Sequence, residues 1–573
     1  MRVLMSYIRP HLWYFLLAYV VVIISSGAIM AFGKELSVIV DSGLMYGAQK
    51  YYTLAVVLLV VSIISVSAFF RLWLSTMGAD RVVCSIRKLL YDKIIHISPA
   101  ALEDASVALF VSRLITDTTI LRTILCGSLL MIFRNVTIMI GSIVMLVHTN
   151  PGLAAHSAIV LPVLLPIVAF LGRNVRGASL AFRRSMDKLT HFGEETCRGI
   201  YTIQSLVAEN IASTQFCNLL DEVSAASSKH VLQRATVVSL AVSTITASVA
   251  IVLWVGVQAV VDDSITAGTL LTFVFYSVLL VGSMGGIGDN AQELRKALEI
   301  ARDITDLLNM DSYTSGIDKS NVDICEVKES IELNNVWFSH RNKPEVQIFK
   351  GISFSVKRGE KVAIVGPSGV GKSTIIDLLL RFYDINDGSI LVDGVDTRKV
   401  SLRSLRSLFC LVPQDSFIFS GTILDNITYG IEKYTDEELQ VAIESASLGG
   451  FIRDLPEGLN TLVGENGACI SEGQKQRIVI ARAILRKPQV LILDESTSAL
   501  DSDNERKVLT SLHELMRDKI TIMVTHRLST VVDADKIVVI NNGLVKEVGT
   551  HSELVGREDG LYAKLFRLQR DTV

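Results

Sequence analysis

Net charge is almost absent from this chain: 55 Lys and Arg stand against 58 Asp and Glu, leaving −3 over 573 residues. That balance gives no electrostatic case for a nucleic-acid partner. Paired cysteines are missing too. The seven stand singly, at Cys84, Cys126, Cys197, Cys217, Cys325, Cys410 and Cys469, with no CxxC among them. An odd, scattered set argues against a metal or disulfide framework and for reduced thiols in a cytosol-facing protein. A cleavable leader is not evident either. The first apolar run, residues 12–33, is about twenty residues long and lacks a small-residue cleavage site, so it reads as a retained span. Ionisable residues are scarce inside the apolar runs, which argues against an ion or proton relay.

What is abundant is apolar sequence, 50% of the chain, crowded into long uncharged runs in the first half. The length exceeds one domain. Residues 1–11, with Arg2 and Arg9, suggest a short interfacial helix. Six spans are expected: 12–33, 51–70, one within 135–148 that starts earlier, 153–172 after a Pro151-Gly152 break, 235–261, and about 265–288. Asp262 and Asp263 make an outer turn between the last two. The segment after the second span carries Arg71, Arg81, Arg87, Lys88, Lys93, Arg113 and Arg122. The segment after the fourth carries Arg173, Arg176, Arg183, Arg184, Lys188, Arg198, Lys229 and Arg234. The connections after spans three and five carry no Lys or Arg, so the basic side and both termini are expected in the cytosol. Each basic segment is helix-patterned and about sixty residues long, which predicts helices continuing well past the bilayer. Phe15, Tyr19, Phe32, Phe69, Phe273, Phe275 and Tyr276 either line an apolar or amphipathic cavity, or face lipid or pack between helices. Arg71, Arg134 and Arg173 sit where they could meet an acidic head group or anchor to lipid phosphate.

Residues 289–308 read as a charged helix leaving the membrane, and 309–330 as a polar linker. From residue 331 short apolar strands alternate with helices, an α/β signature. The organising stretch is Gly366, Pro367, Ser368, Gly369, Val370, Gly371, Lys372, Ser373 and Thr374, set between an apolar strand and an amphipathic helix start. It fits Gly-x-x-x-x-Gly-Lys-Ser, the nucleotide-phosphate loop. Such a loop turns backbone N–H groups onto phosphate oxygens at a helix N-terminus. Lys372 is expected on the β- and γ-phosphates and Ser373 on Mg²⁺. A second apolar strand, 490–493, ends in Asp494 and Glu495. Asp494 is placed to hold the Mg²⁺ indirectly through water, and Glu495 to polarise the attacking water.

Further pieces carry a family resemblance. Ile470-Ser-Glu-Gly-Gln-Lys-Gln-Arg477 resembles the signature sequence of ABC ATPases; Gln414, in Val412-Pro-Gln-Asp415, resembles their Q-loop. Ser498-Ala-Leu-Asp501 resembles the D-loop and His526 the switch histidine. Thr461-Leu-Val-Gly-Glu-Asn-Gly467 is similar to the stretch exporter-type members place before the signature. In order, and after six spans, these resemble ABC exporters of the half-transporter type, which include the bacterial lipid A flippases, over essentially the whole chain. The resemblance implies a helical membrane domain, 1–308, and an α/β P-loop ATPase with a helical subdomain, 331–573. It implies ATP and Mg²⁺ at two sites shared across a homodimer in a bacterial plasma membrane. Ser471, Gly473 and Gln474 would reach the γ-phosphate in trans, His526 would sense it, and Gln414 would join the metal site to the membrane helices. Residues 99–117 and 193–204 resemble the two intracellular loops whose tips dock on the ATPase domains.

Two positions depart from the pattern. Glu472 stands where the family usually has Gly, and its carboxylate is expected to face away from phosphate. His340 stands where a Tyr usually stacks on adenine; an imidazole either stacks more weakly there or is an ordinary exposed histidine. Together they leave room for a weakly hydrolysing subunit of a heterodimer. An ATP-switched channel or binding protein is the alternative of another class. The leading expectation is ATP-driven export of a lipid or amphipathic compound by a homodimer.

Overall fold

The computed structural model describes residues 6–41, 48–103, 107–158, 160–310, 322–340, 342–494, 508, 510–511, 516–525 and 531–570. Packing divides the chain into two units, residues 1–91 with 111–309 and residues 92–110 with 310–573.

The first unit is helical. Its long helices are α1 (Leu12–Asp41), α2 (Ala48–Ile95), α3 (Leu129–Thr149), α4 (Val160–Arg198), α5 (Glu209–Val261) and α6 (Ala267–Asn309). At 1.5 Å per residue the 53 residues of α5 run about 80 Å, against a hydrocarbon core of about 30 Å. The expected extension past the bilayer is therefore present in the helix lengths. Among the described residues, four helices are long and apolar enough to cross a membrane: Ser6–Asp41, Leu54–Ile95, Leu109–Thr149 and Ala267–Asn309. Val249–Val261 is a shorter apolar helix, at the end of α5 where the fifth span was expected. The fourth expected span falls on the helix Pro151–Ala158 and on α4, with residue 159 outside the described residues. The six-span count is thus reached only in part by length and composition.

The Pro151 break forms as the sequence predicts. Asn150 is extended (φ −156°, ψ 107°), and its Oδ1 accepts the backbone N–H of Leu153 at 3.0 Å. It caps the helix that Pro151 opens, where the missing proline N–H costs nothing. The Asp262-Asp263 turn is present as well, with Asp263 left-handed at φ +56°.

Two features of this unit have no sequence signal. The helical run before α3 contains two π-helical turns, Arg113–Asp117 and Ile124–Ser128. A π turn leaves carbonyls without regular partners. Here Ile115 O accepts the backbone N–H of Thr118 and also Thr119 Oγ1 (2.6 Å), Thr118 Oγ1 (3.1 Å) and Arg87 Nη2 (3.4 Å). Arg113 Nη1 bridges Asp117 (2.7 Å) and Asp303 of α6 (2.6 Å). The second feature is a polar seam between antiparallel α1 and α6. Thr272 Oγ1 donates to Gly33 O (3.0 Å) and Tyr276 OH to Met30 O (2.7 Å). At the end of the seam the Asp41 carboxylate accepts from Thr266 Oγ1 (2.6 Å) and from Gly268 N (2.7 Å), capping α6. Gly268 has no room for a Cβ, which would lie 2.4 Å from Ser37 O.

In the second unit the described residues form two sheets, ordered β2-β1-β4-β5 and β10-β9-β3-β8-β7-β6. The first holds β1 (Ser330–Phe338), β2 (Phe349–Lys357), β4 (Asp387–Val392) and β5 (Val395–Asp396), all antiparallel. The second holds β3 (Lys361–Val365), β6 (Phe409–Val412), β7 (Val490–Asp494), β8 (Ile520–Val524) and β9 (Lys536–Asn541), mutually parallel, with β10 (Leu544–Gly549) antiparallel at its edge. The parallel strands are buried on both faces, so they read as continuous apolar runs. In β3, Val362 and Ile364 enter the core shared with the antiparallel sheet, while Ala363 and Val365 face the core under the signature helix.

Candidate ATP site

The parallel register decides where the expected site residues emerge. Asp494 on β7 lies level with Val524 on β8, Val524 with Ile364 on β3, and Leu493 with Val412 on β6. Gly366, Gln414, Asp494 and Thr525 therefore leave the sheet along one edge, at the carboxyl ends of adjacent strands. In open α/β sheets that edge is where ligands bind.

After β3 the loop 366–371 turns into α7 (Lys372–Leu379). Gly369 and Gly371 take φ +79° and +93°, conformations that L side chains resist. A Cβ on Gly366 would lie 2.3 Å from Ile540 O, and one on Gly371 would lie 2.6 Å from Ile348 Cγ2. The loop backbone is packed down on its inner side, whereas a Cβ on Gly369 would meet nothing within 4 Å. Lys372 Nζ lies over the loop, donating to Gly366 O (2.9 Å) and Pro367 O (3.0 Å), and Ser373 is exposed one residue on. A cradle of N–H groups on the first turn of an eight-residue helix, with an ammonium across it, fits a phosphate chain. The hydroxyl of Ser373 and the carboxylate of Asp494 are the hard oxygen donors that suit Mg²⁺. Gln414 is exposed two residues beyond β6. Glu495, residues 498–501 and His526 lie outside the described residues; the strand ends leading to them, Asp494 and Thr525, lie inside.

His340 follows β1, half-buried. Its ring stands edge-on to Phe338 and Tyr383, each with centroids 5.1 Å away. It is thus one member of an aromatic group rather than an isolated exposed histidine.

The signature sequence forms the N-terminus of α8 (Glu472–Arg486). Ser471 is the N-cap: its side chain accepts from Gln474 N, and Gln474 Oε1 returns a bond to Ser471 N at 2.8 Å, a complete capping box. Gly473 is in the first turn. Glu472 has a side chain 57% exposed and is paired with Lys475 at 3.4 Å, an arrangement open to an acid in a helix's first turn.

One network here had no sequence signal. Asn426, in the short helix Ile423–Ile427, is 1% exposed and bonds both the N–H and C=O of Phe419, while Arg482 of α8 reaches back to Asn426. The Arg482–Asn426 contact crosses 56 residues of sequence, so no local pattern announces it.

Comparison with known proteins is consistent with this geometry. Residues 15–284 match the family model described as ABC transporter transmembrane region, and residues 349–498 match the model described as ABC transporter. A Rickettsia bellii protein named as an export ATP-binding/permease protein is 33% identical over 556 residues, covering 96% of each chain. The ATP-dependent lipid A-core flippase of Pseudoalteromonas translucida is 31% identical over 571 residues, covering 99% of this chain and 97% of its own. Among solved structures, a bacterial Atm1-family ABC exporter with ATP bound superposes with a TM-score of 0.82 at 26% identity, covering 97% of this chain and 98% of its own.

Proposed function

The chain belongs to the ABC transporter family, an exporter-type membrane region fused to an ATPase that couples hydrolysis to transport, and we propose that it acts as a homodimer exporting or flipping a lipid or amphipathic compound. The observation that carries this is the convergence of Gly366, Gln414 and Asp494 on one sheet edge, in a chain that also carries bilayer-crossing helices.

In this reading the backbone N–H groups of residues 366–374 hold the phosphates, Lys372 neutralises the β- and γ-oxygens, and His340 faces the adenine. Ser373 and Asp494 would hold Mg²⁺, with Gln414 beside them. The ion, when bound, withdraws charge from the bridging phosphate oxygens. Glu495 accepts a proton from the attacking water and His526 holds the γ-phosphate. Ser471, Gly473 and Gln474 of the opposing copy complete the site, aiming a helix N-terminus at that phosphate. The tips near residues 99–117 and 193–204 carry closure to the membrane helices. The bias of Lys and Arg to one side favours both termini in the cytosol, and the likeness to bacterial exporters favours a bacterial plasma membrane.

For the substrate, scarce charge in the apolar helices favours an amphipathic molecule over an ion. Arg71 and Arg134 both approach Met131 Sδ, at 3.8 and 4.0 Å, and neither pairs with a carboxylate among the described residues. Two cations side by side suit an acidic head group, in keeping with the flippase relative.

Glu472 supports a second reading, a weakly hydrolysing subunit that needs a different partner. ATP hydrolysis by purified protein in lipid vesicles, beside Glu495→Gln, separates the two. Turnover that the substitution lowers by about a hundredfold or more supports the self-sufficient homodimer. ATP binding without turnover in the unmutated protein favours the heterodimer or an ATP-switched channel.

A further inference from the structure

Between Gln414 and the short helix Ile423–Ile427 the chain makes a turn, residues 417–422, tied down on two sides. On one side it is sewn to the stretch before the signature: Val463 N donates to Gly421 O (3.0 Å) and Ile423 N to Thr461 O (3.1 Å). On the other side stands Asn426. Its Nδ2 donates to Phe419 O (2.9 Å) and Thr422 O (3.0 Å), and its Oδ1 accepts from Phe419 N (2.9 Å). Asn426 therefore closes the turn as a backbone would.

Arg482, three turns into α8 from Ser471, clamps that asparagine. Its Nε donates to Asn426 O at 2.7 Å and its Nη2 to Asn426 Oδ1 at 3.2 Å. Its guanidinium lies 6.0 Å from the Phe419 ring centroid and 5.8 Å from that of Tyr429, and these two rings stack at 4.0 Å. No carboxylate pairs with Arg482 among the described residues, although burial pushes its pKa down while Cys410 and Tyr429 push the other way. A cation taken out of water without a counter-charge is expensive, and ring faces and neutral carbonyls offset only part of that cost. An apolar side chain would pack here more cheaply. What it could not supply is a pair of donors that fixes one asparagine in place.

We infer that Arg482 is a positioning residue for ATP hydrolysis: through Asn426 it fixes the segment following Gln414 against the helix that begins at Ser471. On the homodimer reading proposed above, on which this rests, one bracket thereby sets the spacing between the metal side of a subunit's own site and the phosphate-facing end it presents to the opposing copy. Arg482 touches neither nucleotide nor metal.

The test uses the full chain in lipid vesicles with Mg-ATP, measuring kcat and KM per folded subunit for Arg482→Met, Arg482→Lys, Asn426→Ala and the Arg482→Met/Asn426→Ala double. Folded fraction is read by thermal melting and binding by a fluorescent ATP analogue. The expected result is a kcat lower by about tenfold to a hundredfold for Arg482→Met with KM within about twofold. Asn426→Ala should match it and the double should be no worse than either single, because the two residues form one unit. Lysine keeps the cation over the rings and one donor, so Arg482→Lys should recover part of the lost kcat. A normal kcat per folded subunit in Arg482→Met, additive losses in the double, or a change confined to KM would each overturn the assignment. Should Arg482→Met fail to fold, Arg482→Lys decides alone: a reduced kcat at unchanged KM supports the role, and a wild-type kcat overturns it.

Discussion

Gly371 and Asp393 show two ways in which single residues fix the ATPase half. Gly371 stands left-handed at φ +93° with Ile348 and Phe349 against its vacant side. A loop that needs this conformation must carry glycine there, and the phosphate loop was readable from sequence for that reason. Asp393 is the reverse case: Asp393-Gly394 has the form of a hairpin turn, but nothing local marks the distant donors that its carboxylate meets. Burial alone would raise its carboxyl pKa, but N–H donors from Lys328 (2.7 Å), Glu329 (2.9 Å) and Ser330 (3.0 Å) hold it below the ordinary carboxylate range. A carboxyl whose folded pKa lies below its unfolded value stabilises fully above the unfolded value, about 3.9, and loses that contribution as pH falls through the folded one. Thermal melting of the full chain from about pH 6 to about pH 3 should therefore show a steeper acid loss in the wild type than in Asp393→Asn. Parallel curves would mean the three bonds carry no net charge preference. The Asn426–Arg482 pair was illegible for the same reason as Asp393: its partners are distant in sequence and neither residue type is unusual where it stands.

Among elements, the parallel strands were the most readable, because burial on both faces writes them as unbroken apolar runs. β3 forms over Lys361–Val365, the apolar run that precedes the phosphate loop, and β7 extends one residue past its run to take in Asp494. The amphipathic run 375–382 after the phosphate loop was less exact: α7 stops at Leu379 and Arg381 turns left-handed, so Phe382 is not helical. The π turns and the α1–α6 seam were hidden, since hydroxyls bonding to backbone leave no periodic trace. The seam nonetheless makes a definite claim. Asp41→Ala would leave Gly268 N–H without its acceptor at the start of a 43-residue helix, while Thr266 Oγ1 keeps Thr269 Oγ1 at 2.7 Å. The expected cost is about 1 kcal/mol. Hydrogen exchange at residues 267–270 should quicken in that variant while the far end of α6 is unchanged; equal protection would show that α6 starts as firmly without the cap.

At the scale of the whole molecule, the order of motifs was legible because each carries its own chemistry: a span needs its apolar length, a phosphate loop its glycines, a signature its N-cap. What pairs with what was not, since subunit contacts are written in no linear pattern. The proposed homodimer can be probed by arranging two defects. In mixed dimers, Lys372→Ala on one subunit and Ser471→Ala on the other should spoil one composite site twice and spare the second, leaving about half the turnover. Both substitutions on one subunit should spoil both sites. The reverse pattern, with little turnover when the defects are on separate subunits and about half when both are on one, would place each site within a single chain.

The length of α5 has a mechanical consequence. An unbroken helix of 53 residues behaves as a lever arm about 80 Å long, so a tilt of about 5° at its Glu209 end becomes a sweep of about 7 Å at its Val261 end. Angles imposed at one end are thereby delivered at the other as distances wide enough for a molecule to pass.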